Sequence, residues 1–102
     1  MENLSKCLPL TREMLGDPVD LQIDDPNLDF LLARKTAERR ARELCPEPML
    51  LAWFEKRTGR YSPQVPCCRE DKPPWLAYAQ SRGGDLVMDI NDEEYVFVYR
   101  RD

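Results

Sequence analysis

The stretch that most constrains this chain runs from Asp25 to Pro48, where a helical apolar period lies between prolines. Asp25 suits an N-cap, and Pro26 suits the first helical position, where its missing N–H costs nothing. Phe30, Ala33, Ala37, Ala41 and Leu44 follow at spacings of three and four, with Leu28, Leu31 and Leu32 widening the stripe. Asp29 lies near the start and Arg39, Arg40 and Arg42 near the end, each sign matched to the helix dipole. Pro46 and Pro48 stop the run. Together these signals predict one amphipathic helix over about 26–44.

The segments around it read as short strands. Val19, Leu21 and Ile23 alternate with Asp20, Gln22 and Asp24, an edge-strand pattern. Met49 to Phe54 is an unbroken apolar run, fitting a strand buried on both faces. The loop after it places Gly59 in the left-handed position and Tyr61-Ser62 on the returning strand. Gln64 to Pro74, with three prolines and two cysteines, reads as a long loop. Trp75 to Ser81 is expected as a strand, Arg82-Gly83-Gly84-Asp85 as a primed turn, and Leu86 to Ile90 and Tyr95 to Arg100 as further strands joined at Asn91-Asp92. Residues 1–18 carry little pattern, apart from one helical turn at Thr11–Leu15 stopped by Gly16.

The expected fold class is α+β, with the helix packed on a mostly antiparallel sheet of four or five strands that ends in a C-terminal β-meander. At 102 residues the chain is expected to form a single domain with one modest core. Leu86, Met88 and Ile90 should face the helix, because Asp85 and Asp89 mark the other side of their strand as wet. The last strand is apolar or aromatic on both faces, more than one helix covers. A homodimer burying its second face is therefore expected.

Chemistry is bounded by what is missing. The chain has no histidine, which removes imidazole bases and His-ligated zinc. No stretch approaches the roughly 20 apolar residues of a membrane span, and no secretory apolar segment opens the sequence, so a cytoplasmic location is expected. The net charge of −4 is segregated: −5 over residues 1–29, +4 over 30–72 and −3 over 73–102. Acidic ends around a basic middle favour self-association and make nucleic-acid binding unlikely.

Four cysteines, Cys7, Cys45, Cys67 and Cys68, stand in a chain expected to be in a reducing compartment, so thiols are expected rather than disulfides. Cys45-Pro46-Glu47-Pro48 resembles the CPxP signature of small bacterial sulfur-carrier proteins, and the resemblance implies Cys45 as a sulfur-accepting thiol. Here, however, the motif follows a helix instead of opening one, which puts the thiol at the negative end of a helix dipole. The bland reading is a helix stop beside a half-buried cysteine. The longer runs ARELCPEPMLLAWFEKRTGRYSP and SRGGDLVMDINDEEYVFVYR resemble a family of short prokaryotic proteins of unknown function, from about residue 33 to the C-terminus. That resemblance implies a fold and brings no activity with it.

Three further clusters have a sharp and a bland reading. Cys45, Cys67 and Cys68, with Cys7, are candidates for a thiolate zinc site or a redox centre, although the paired C-x₂-C spacing of strong zinc sites is absent. Arg34, Lys35, Arg39 and Arg42 are candidate anion contacts, or simply a solvated helix face braced by Glu38 and Glu43. Asp89, Asn91, Asp92, Glu93 and Glu94 have the composition of a cation site but not the spacing of a calcium loop, and read as a solvated turn. The function expected from all this is a non-enzymatic interaction or self-association module without a cofactor. The alternative is a thiol-based sulfur-transfer, redox or metal-binding protein using Cys45 with Cys67 and Cys68.

Overall fold

The computed structural model describes residues 10–65 and 72–101. The chain forms a short 3₁₀ helix (Arg12–Leu15), then β1 (Val19–Leu21), α1 (Phe30–Leu44), β2 (Met49–Glu55), β3 (Arg60–Ser62), α2 (Pro74–Ser81), β4 (Leu86–Ile90) and β5 (Tyr95–Arg100). One five-stranded sheet has the order β1-β4-β5-β2-β3. β1 runs parallel to β4, and the other three pairings are antiparallel. The α+β class and the mostly antiparallel sheet are those that the sequence predicts.

α1 begins one turn later than its proline suggests. Asp29 is the N-cap, its carboxylate accepting from Leu32 N–H at 2.9 Å. Asp25 instead closes a separate turn, accepting from Asn27 N–H with its side chain at 2.8 Å and from Leu28 N–H with its carbonyl at 3.0 Å. The helix lies on the sheet through Ala33, Ala37 and Ala41, all fully buried. Three alanines one turn apart leave no bulk between helix and strands, so the large side chains of the core come from the sheet: Leu86, Met88, Ile90, Tyr95, Phe97 and Tyr99. Phe30 closes the top of this layer against Trp53, with ring centroids 4.5 Å apart, and Phe97 at 5.6 Å. Leu31 and Leu44, counted in the stripe by spacing, are 65% and 39% exposed.

The segment Trp75–Ser81 is a helix, not a strand. Pro74 occupies its first turn, where proline is favoured, and the buried residues Trp75, Leu76 and Ala79 recur at one and four, a helical spacing. The glycines after it form a helix stop instead of a hairpin turn. Gly83, at φ 84°, donates to Gln80 O at 3.4 Å, and Gly84 donates to Ala79 O at 2.8 Å, the paired bonds of a Schellman motif. Gly84 also permits close approach: a Cβ there would lie 2.8 Å from Ala79 O and from Val98 Cγ1.

This second helix changes the account of the sheet. Trp75, Leu76 and Ala79, with Leu15 from the 3₁₀ helix, cover Ala52, Val87, Val96 and Val98 on the face opposite α1. Trp75 stacks on Phe54 at 5.3 Å with the ring planes 7° apart. β5 is thus buried on both faces within one chain, and Val96 and Val98 are fully enclosed. The surplus apolar face that motivated a dimer through β5 is covered by the chain's own residues.

Candidate functional site

The cysteine reading rests on residues of which the structure describes Cys45. Cys45 is the C-cap of α1, its N–H donating to Ala41 O at 2.9 Å, and is 8% exposed within the apolar layer of Tyr99 and Leu86. Cys7, Cys67 and Cys68 lie outside the described residues. Among the described residues no group of three cysteine or carboxylate side chains is arranged to hold a metal ion. Among them, too, no helix is long and apolar enough to cross a membrane.

The basic candidates stand on the solvent side and flank of α1. Arg34, Lys35, Arg39 and Arg42 are all exposed, while Ala33, Ala37 and Ala41 beside them point inward. Arg42 pairs with Glu38 at 3.4 Å, the i,i+4 brace that the sequence suggests, and Arg40 pairs with Glu43 at 2.8 Å. Arg34, Glu38 and Arg42 also lie around Tyr99, whose buried hydroxyl has no hydrogen-bond partner among the described residues; burial holds its pKa above the ordinary phenol range.

The site that the structure does assemble is a different one. Asp89 is fully buried on the α2 face of β4, where the sequence suggests a wet position. Across the parallel pairing its neighbour is Asp20 on β1. Arg12, on the 3₁₀ helix, reaches down onto both. Its Nη1 and Nη2 donate to the two carboxylate oxygens of Asp20 at 2.6 Å each, and Nη1 also donates to Asp89 Oδ2 at 2.8 Å. Glu93 approaches the same guanidinium at 3.7 Å.

The turn that carries Glu93 is unusual. Asn91, Asp92 and Glu93 are three consecutive non-glycine residues in the left-handed region, at φ 52°, 56° and 67°. Hydrogen bonds hold them there. Glu93 N–H donates to Asp89 Oδ1 at 2.6 Å, and Glu94 N–H donates to Ile90 O at 2.9 Å. The Asn91 side chain pairs with both backbone polar atoms of Ile23, which extends the pairing of β1 beyond Leu21. The acidic turn is therefore a structural corner, with the Asp89 and Asn91 side chains bonded to backbone.

Charge in this cluster is tuned by burial. Asp89 is pushed up to about 7, first by burial, then by the hydrogen bond its carboxyl shares with the Glu93 carboxylate; the Glu93 N–H and Arg12 oppose the rise. Asp20, by contrast, is held below the usual carboxylate range by its hydrogen bonds to Arg12. One arginine thus faces three carboxylates, and burial lets Asp89 hold its proton to a higher pH than an ordinary carboxylate. Such an arrangement binds a proton and fastens chain segments. It places no nucleophile beside a base.

Sequence reasoning passed over Arg12 and misplaced Asp89. The available signal was Val87, an apolar residue between Asp85 and Asp89, which shows that this face of β4 is not solvated along its length.

The model of the family described as Domain of unknown function (DUF5619) matches residues 16–99. An uncharacterized protein of Archaeoglobus fulgidus is 34% identical over 74 residues, covering 70% of this chain and 79% of that protein. The crystal structure of the protein AF1514 of the same organism superposes with a TM-score of 0.71 at 27% identity, covering 84% of this chain and 94% of the other.

Proposed function

The chain belongs to the DUF5619 family of unknown function, and from its geometry we propose that it is a non-enzymatic cytoplasmic binding module that works as a homodimer without a cofactor. The observation that carries this reading is an open strand edge. β2 pairs with β5 over Met49–Glu55, yet β3 covers its outer side only at Trp53–Glu55. Among the described residues, no strand pairs with the outer side of Met49–Ala52.

Unpaired edges invite another strand, and proteins blunt them with short length or charge. The two terminal strands of this sheet follow that rule: β1 and β3 have three residues each, with Asp20 on one and Arg60 on the other. Met49-Leu50-Leu51-Ala52 carries no charge, and Met49 is 46% exposed close in sequence to the exposed Leu44. An antiparallel pairing of β2 with its own copy satisfies a two-fold axis, sets uncharged apolar residues opposite one another without repulsion, and shelters their side chains.

Light scattering coupled to gel filtration tests the reading. Wild type is expected to run as a dimer at about 0.1 mM, where a dimer of micromolar Kd is fully assembled. Met49→Glu and Leu51→Lys should give folded monomers. A wild-type monomer at that concentration overturns the homodimer. Thiol titration and native mass spectrometry of the same sample address the sulfur reading: a persulfide, a bound metal or a fast-reacting thiol would replace the binding-module assignment by thiol chemistry.

A further inference from the structure

Two pieces of chain of unequal strength cover the second face of the sheet. α2 is a helix closed by a Schellman motif. Beside it the chain from Leu10 to Pro18 forms only one 3₁₀ turn. Beyond the bonding inside that turn, its backbone bonds among the described residues are Met14 N–H to Thr11 O at 3.1 Å and Gly16 N–H to Glu13 O at 3.3 Å, and it joins the sheet only at Val19. Among the described residues, three things attach it to the body: Leu15 in the apolar cluster with Leu10 and Met14 at its margin, a 3.4 Å bond from Gln80 Nε2 to Met14 O, and Arg12.

We infer that residues 10–18 are a strap, latched by Arg12 over the buried carboxylate of Asp89, which opens as a unit while α1, α2 and the sheet stay folded. Local opening of this kind draws on segments with few apolar contacts and few backbone bonds, which describes this one. Opening removes Leu15 from the apolar cluster and returns Asp89 to water.

The latch is coupled to a proton. The charged groups facing Asp89 are Arg12 from the strap, Asp20 from β1 and Glu93 from the turn, while β5 sets the apolar Val96 opposite it. With the strap closed, burial keeps the Asp89 proton on up to about pH 7. With the strap open, the solvated carboxyl loses it at an ordinary carboxylate pH. Closing therefore takes up a proton, so the strap loosens as pH rises towards 7 and levels off above it.

Amide hydrogen exchange of the full-length protein, corrected for intrinsic rates, tests this. In Arg12→Gln the Met14 and Gly16 amides should exchange at least about tenfold faster, the loss expected for a charge-assisted hydrogen bond to a buried partner, while β5 amides keep their rates. In wild type, strap protection should fall by about tenfold between pH 5 and pH 8, and in Asp89→Asn it should not change over that range. If Arg12→Gln does not fold, the comparison of wild type with Asp89→Asn decides the matter. The strap is overturned if its amides exchange in Arg12→Gln as in wild type, if they open only together with β5, or if wild-type protection is independent of pH.

Discussion

Asn91 pairs with Ile23 as one strand residue pairs with another: its Oδ1 accepts from Ile23 N–H at 2.8 Å and its Nδ2 donates to Ile23 O at 3.0 Å. A side chain thus continues the ladder where β4 has already turned away. The same residue sits at φ 52°, a conformation that asparagine tolerates better than most. Asn91→Ala loses both bonds and strains the backbone, and should cost about 1–3 kcal/mol by urea denaturation. Asn91→Gly relieves the backbone but still lacks the amide, so it should recover only part of that loss. Equal stability of Asn91→Gly and wild type would show that the side-chain pairing contributes nothing.

Gly83 and Gly84 end α2 for different physical reasons, and alanine should separate them. At Gly83 the difficulty is φ 84°, with only the flexible Arg100 Cδ near a new Cβ, at 3.3 Å. Gly83→Ala should cost about 1 kcal/mol. At Gly84 the Cβ would meet the Ala79 carbonyl oxygen and Val98 Cγ1, both at 2.8 Å. Neither a helix carbonyl nor a buried valine moves freely, so Gly84→Ala should cost about 1–3 kcal/mol or more, the larger loss of the two. Thermal melts of both variants give the order directly.

Cys45 tests the resemblance to sulfur carriers. Its thiol is enclosed behind α1, in the layer that holds Leu86 and Tyr99. Alkylation of a variant retaining only this cysteine should be slow in native buffer and become fast in urea. Cys45→Ala should fold with a loss of about 1 kcal/mol, the size of a small buried apolar group. A Cys45 that labels as fast in native buffer as in urea would restore it as a reactive thiol.

Much of this fold is legible because its elements repeat a local period. α1 shows three alanines one turn apart, and β4 and β5 show unbroken apolar runs. α2 escaped because its period spans only two turns, and Trp75 and Tyr78 are residues that strands favour. A strand at Trp75–Ser81 would leave the second face of β5 uncovered, whereas the helix covers it within the chain. The Arg12 cluster was less legible still. Nothing in the sequence distinguishes Arg12 from the other exposed arginines until the chain has folded 77 positions back on itself to place it on Asp89.

Asp89 makes the pH dependence of this protein run against the usual direction for a carboxylate. In the folded chain it holds its proton up to about 7, and in the unfolded chain it releases it near the ordinary aspartate value of 3.8. Between those values the native state binds more protons than the unfolded state, so stability falls as pH rises. The contribution is complete below about pH 4 and gone above about 7. Asp20 acts with the opposite sign, since Arg12 holds its pKa low, but its contribution is already in place above the ordinary Asp pKa and is lost only in more acidic solution. Chemical denaturation from pH 4.5 to 8 should therefore show stability declining towards neutrality in wild type. Asp89→Asn, whose one amide oxygen can accept from Glu93 N–H or from Arg12 but not from both, does not titrate and should flatten that slope. A wild-type slope that persists unchanged in Asp89→Asn would assign the proton to another group.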